Sequence, residues 1–146
     1  MAASLAGCQK VSISRVNSKA GNVEQTCKDF VSHYMDTDAA TYASSQAELK
    51  QDASPGLVQT MKKAGVLAKN DKELKAKIAQ LAKRKVKDTV SVESVNIGDV
   101  AANGLIPATV TGLLKKGERA ESFAYKLSLG IRKDNGKLAV VTITKQ

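Results

Sequence analysis

The chain has no tryptophan, three tyrosines and two phenylalanines, so aromatic residues make up only 3% of it. Its core must therefore be built from aliphatic side chains. A base-stacking single-strand nucleic-acid binder, which needs aromatic platforms, is disfavoured. There is one histidine, His33, and there are two cysteines, Cys8 and Cys27. A closed zinc site needs three or four ligands, so no metal is expected, and no other cofactor is implied. A glycine-rich phosphate loop is missing as well. Gly98, Gly104, Gly112, Gly117, Gly130 and Gly136 fall at turns or within strand-like runs instead. No stretch approaches the roughly 18 apolar residues of a membrane-spanning helix.

Catalytic constellations are equally scarce. Asp29 lies one helical turn before His33, a spacing that allows an ion pair, but no motif places a serine or cysteine nucleophile beside them. His33 reads as a helix-surface histidine. Asp36 and Asp38 sit at a helix boundary, where capping accounts for them. No enzymatic activity is expected. If helices and sheet enclosed a ligand-binding cone, its acid–base candidates would be Tyr34, Tyr42, Asp38 and Tyr125.

The content that is present is ordinary for a globular chain: 42% apolar and 25% charged over 146 residues, enough for one domain with a real core. The charge, by contrast, is unevenly placed. The chain carries a net +9, and residues 62–87 supply ten basic side chains against Asp71 and Glu73. Within that stretch Lys62, Lys63, Lys72, Lys75, Lys83, Arg84, Lys85 and Lys87 form a candidate basic docking face for anionic lipid, cell-wall polymer or DNA, bound weakly and without specificity. The plainer alternative is a solvated, lysine-rich helix.

Leu5-Ala6-Gly7-Cys8 has the form of a lipobox, in which small residues admit a peptidase and the cysteine thiol takes a diacylglyceryl group. A complete leader needs a basic and an apolar segment over about 15–30 residues, and seven residues precede Cys8. Either the match is fortuitous or the chain starts inside a signal sequence. In the second case Cys8 is the lipidation site, and Gln9 to Gly21, rich in Ser, Asn and Lys, is a tether. Residues 1–21 are then a flexible N-terminal tether and residues 22–146 a single domain. Cys27 reads as a small buried hydrophobe; a Cys8–Cys27 bridge remains open in an oxidising compartment.

Along the domain the hydrophobic period changes once. Val23, Cys27, Phe30, Val31 and Tyr34 form one helical stripe over about Asn22–Met35. Asp36-Thr37-Asp38 breaks it, and Ala39–Leu49 is a short alanine-rich helical stretch. Ser54-Pro55 marks a helix start, since Ser caps and Pro fits the first turn, with Gly65 as its stop. Asn70 caps a helix over Asp71–Lys87 whose inward stripe is Leu74, Ile78, Leu81 and Ala82. From Thr89 the period is two. Val90, Val92, Val95 and Ile97 form a strand whose apolar parity shifts between Val92 and Val95, as a bulge would cause. Ile106 to Leu114, Phe123 to Ile131 and Leu138 to Thr144 follow, with Asp134-Asn135-Gly136 as a hairpin turn. Both parities of the last strand carry β-formers, as in a strand covered on both faces or lying at an oligomer contact. The expected core is Phe30, Tyr34, Leu74, Ile78, Phe123, Leu127 and Leu129. The fold class is α+β: about three N-terminal helices packed on a curved four-stranded antiparallel meander.

This layout resembles the nuclear-transport-factor-2-like or cystatin-like superfamily. Three features resemble the extracytoplasmic domains of type IV secretion assembly factors in conjugative elements, including the TcpC-type transfer proteins. They are Phe30-Val31-x-x-Tyr34 before an acidic break, the Ser54-Pro55-x-Leu57 helix start, and Tyr125-x-Leu127-x-Leu129 followed by Asp134-x-Gly136-Lys137 and Val140-Val141. The resemblance implies a non-enzymatic scaffold in a DNA-transfer channel, outside the bacterial cell membrane and anchored through Cys8. Its partners would be other secretion-channel or cell-envelope proteins, or further copies of itself. Function would then lie in the sheet's open face, the terminal strand and the lysine-rich helix. The alternative is a surface lipoprotein of the same fold that binds a small ligand or peptide in immunity, exclusion or sensing. Metabolic labelling of the full-length protein with a palmitate analogue is expected to tag Cys8; unlabelled, cytosolic protein would remove the lipoprotein reading.

Overall fold

The computed structural model describes residues 13–84, 88–132 and 136–146. Four helices precede four strands: α1 Ile13–Tyr34, α2 Tyr42–Asp52, α3 Pro55–Lys63, α4 Asp71–Ala82, β1 Asp88–Ile97, β2 Ile106–Lys116, β3 Arg119–Ile131 and β4 Leu138–Lys145. The strands form one antiparallel sheet in the order β1-β2-β3-β4, so chain neighbours are sheet neighbours throughout. The α+β class and the meander agree with the sequence. Among the described residues there are four helices, where the sequence suggested about three.

Helix boundaries moved where sequence offered propensity but no partner. Helix α1 begins at Ile13, not Asn22, so residues 13–21 of the expected tether are helical. The acidic break works as a turn rather than a helix cap: Asp36 Oδ1 accepts from the Asp38 amide at 2.8 Å, and Asp38 Oδ1 from the Ala40 amide at 2.9 Å. Helix α2 therefore starts at Tyr42 instead of Ala39, with no side-chain cap from Thr41. At α3 the expected cap is present, Leu57 N–H donating to Ser54 Oγ at 3.2 Å with Pro55 in the first turn. Asn70 Oδ1 likewise accepts from Glu73 N–H at 2.9 Å. Helix α4 ends at Ala82, not Lys87, and Asp88 already belongs to β1. Four of the six residues from Ala82 to Lys87 are Lys or Arg, and like charges one helical turn apart oppose a further turn.

One sheet face is covered by helices. Ala108, Val110, Phe123, Leu127, Leu129 and Val140 meet Val23, Cys27, Phe30 and Val31 of α1 and Leu49, Ala53, Leu57, Met61 and Leu67 in one buried cluster. Tyr34 packs against this cluster while half-buried. Leu74 and Ile78 are half-buried and outside it, which corrects their placement in the core. The cause is position: α4 lies against α2, with no substantial contact to the sheet, so its apolar stripe is only partly covered.

Two backbone features match the pattern of the strands. The β1–β2 register shifts between Val92 and Ser94, where the apolar parity changes. Pro107 is the second residue of β2, close to a strand start, where its missing donor is tolerated. Val140 and Ala139 are both buried because β4 is covered at its outer edge. Ala53 forms a parallel bridge with Val140, and Ser54 N–H donates to Val140 O at 2.8 Å. Arg132 Nη1 reaches back to the carbonyls of Gln51 and Ala53 at 3.2 and 3.3 Å, which satisfies carbonyls at the end of α2. Gly112 is required by crowding, since a Cβ there would collide with Ser91 O and the Phe123 ring.

Leu127 is 1% exposed at the centre of this cluster. Leu127→Ala is expected to cost about 2–5 kcal/mol in denaturant melts. A change within about half a kcal/mol would mean that β3 presents its other face to the helices.

Candidate functional site

The residues with chemical potential fall into three places. The first is the joint between α1 and α2. Ser45, 3% exposed, lies 3.0 Å from His33 Nδ1 and donates to Asp36 Oδ2 at 2.5 Å. Thr41 Oγ1 donates to the same Asp36 oxygen at 2.7 Å. This brings serine, histidine and aspartate together, in the wrong order for nucleophile activation. A carboxylate only accepts, so the single Ser45 proton points to Asp36, and Ser45 Oγ must accept from His33 Nδ1–H. The imidazole is a donor to the hydroxyl, not its base. The arrangement fastens two helices by satisfying buried polar groups. It also moves His33 from the expected helix surface to a half-buried joint. Asp52 has its carboxyl pushed up by burial first, then by Glu48, while His33 pulls the other way.

The second place is the space between α1 and the sheet. Of the four acid–base candidates, only Tyr34 and Tyr125 meet there, edge to face at 5.5 Å between centroids. Phe30 and Phe123 flank them at 6.2 and 5.9 Å. Burial pushes both phenols up, so they stay neutral and act as packing groups with polar tips. Asp38 is spent on its own turn. Tyr42 faces α4 instead. Cys27 is fully buried, and burial, then Glu24, pushes its thiol up to about 12, far from the range of a reactive thiolate.

The third place is α4. The α3–α4 connection hangs on Gln46 of α2, 4% exposed, whose Nε2 donates to Val66 O and whose Oε1 accepts from Ala68 N–H, both at 2.9 Å. That clamp fixes a cleft of about 510 Å³ lined by Tyr42, Gly65, Ala68, Glu73, Ala76, Lys77, Ala79, Gln80 and Lys83. Lys63, Lys72, Lys75, Lys83 and Arg84 are exposed and Lys62 is half-buried, but only Lys83 lines the cleft. Arg84 pairs with Asp88 at 3.1 Å and ties the end of α4 to β1. Lys85, Lys87 and the candidate lipidation site Cys8 lie outside the described residues. Lys77, which does line the cleft, was not among the expected residues. Its signal was the row Glu73, Lys77, Gln80, Lys83 along one side of the helix.

A second cleft of about 350 Å³ lies between Ser54-Pro55 and the ends of β3 and β4, lined by Gly130, Ile131, Arg132, Ala139 and Val141. Among the described residues no group of three or more His, Cys, Asp or Glu side chains could hold a metal ion, and no helix is long and apolar enough to cross a membrane. No family model, curated protein or solved structure matches the chain.

The Cys27 thiol has a pH consequence. Its folded value lies above the ordinary 9.0, so its contribution to stability is fully present below about pH 9. It is lost as pH rises toward 12, because the unfolded thiol ionises first, at up to about 1.4 kcal/mol per pH unit. Urea midpoints of the parent are expected to fall more steeply above pH 9 than those of Cys27→Ala. Parallel pH profiles would contradict the buried, protonated thiol.

Proposed function

We propose that this domain is a non-enzymatic scaffold, an assembly component of an extracytoplasmic complex of the kind that transfers DNA in conjugative type IV secretion. In this reading the domain is a nuclear-transport-factor-2-like cone whose interior has been filled. One observation carries the scaffold part: the space between α1 and the sheet is occupied by Phe30, Val110, Phe123, Leu127 and Leu129, each no more than 7% exposed. A ligand chamber would instead need converging polar groups around open volume. A filled interior leaves surfaces as the means of action. Membrane anchoring through Cys8 and a location outside the cell membrane belong to the same proposal.

The test is genetic and biochemical. Deletion of the gene is expected to reduce conjugative transfer, with Tyr34→Phe, Tyr125→Phe and His33→Gln all restoring it. In-cell cross-linking from surface positions should capture envelope proteins. Loss of function on Tyr34→Phe with an unchanged melting temperature would point to chemistry or ligand binding in the interior and sink the scaffold reading.

A further inference from the structure

We infer that the cleft between α4 and the start of α2 is a docking groove for a short acidic segment of a partner protein. This deepens the scaffold reading and rests on it. The groove's lining includes the small residues Gly65, Ala68, Ala76 and Ala79, so a peptide backbone can approach closely. Its rim carries Lys77 and Lys83. Six helical residues separate them, about 9 Å along the axis and about 120° around it, so they border the groove from different sides. The complement is therefore a segment with two separated carboxylates to meet the lysines and small apolar side chains to lie against Ala76 and Ala79.

Other occupants fit less well. A second copy of this chain carries its own net +9, and two such copies repel at long range. A membrane is flat, whereas this site is concave. A phosphate polymer carries closely spaced charge along its whole length and would press a phosphate against Glu73, which also lines the groove. A peptide can leave that position uncharged.

Fluorescence anisotropy with the full chain tests this, using a labelled ten-residue alanine-based peptide that carries two glutamates. Binding is expected at low salt and should weaken as salt rises. It should be lost when both glutamates become glutamine. Lys77→Gln with Lys83→Gln should weaken it about fivefold or more. Filling the groove with Ala76→Leu and Ala79→Leu should weaken it with no charge altered. Lys115→Gln with Lys116→Gln, on an exposed hairpin, should leave it unchanged, and circular dichroism melts should show every variant folded. Three results would overturn the proposal: no peptide binding at low salt, an equal loss from the Lys115 and Lys116 changes, or tighter binding of anionic vesicles or duplex DNA that the leucine variants do not affect. None of these would touch the scaffold reading, which is decided by the transfer assay.

Discussion

Val23, Cys27, Phe30 and Val31 project from α1 onto the inner face of the sheet, and each is 1% exposed or less. Among the described residues α1 is the one helix that makes substantial contact with all four strands. Among the described residues the substantial sheet contacts of α2 and α3 are with β4, and the substantial contact of α4 is with α2. Burying a large aliphatic or aromatic side chain contributes about 1.5–3 kcal/mol, so this one interface dominates the favourable side of folding. With five aromatic residues in the chain, four are spent here, as the Phe30, Tyr34, Tyr125 and Phe123 ladder.

The rest of the helical layer is attached by polar fasteners. Asp36, Ser45 and His33 join α1 to α2. Gln46 holds the α3–α4 connection by both ends of its amide. Ala53 and Ser54 extend the sheet beyond β4, and Arg132 secures the end of α2. Each fastener is short in space and long in sequence, which gives α4 a defined place without a share of the core. That division explains why the lysine-rich segment presents a cleft: a helix outside the core keeps a face that neither sheet nor neighbouring helices cover.

The sheet was legible in the sequence because its signals are local. Strict alternation from Phe123 to Leu129 gave the buried face of β3. The parity change between Val92 and Val95 marked the bulge, and Ser54-Pro55 marked the start of α3. The helices were less legible where the deciding partner is remote. Ser45 and Gln46 carry no outward sign of burial, since the partners of Ser45 lie 9 and 12 residues away and those of Gln46 lie 20 and 22 away. Leu74 and Ile78 have a core-like spacing, but spacing cannot report that the surface facing them is α2 alone. The lysines of residues 62–87 were visible as charge. Which of them meet in a cleft was not, because that depends on where Gln46 sets the connection before α4. Nothing local distinguished the helical residues 13–21 from a polar tether.

If α1 is a structural keystone over a filled interior, it cannot open while the sheet stays folded. Native-state hydrogen exchange examines this directly. The amides of residues 27–31 in α1 and those of Ala108, Val110, Leu127 and Leu129 in the sheet should exchange with one common free energy, equal to that of global unfolding. Exchange of the α1 amides through a lower-energy opening, with the sheet amides still protected, would show that α1 is a lid over a chamber and would contradict the account.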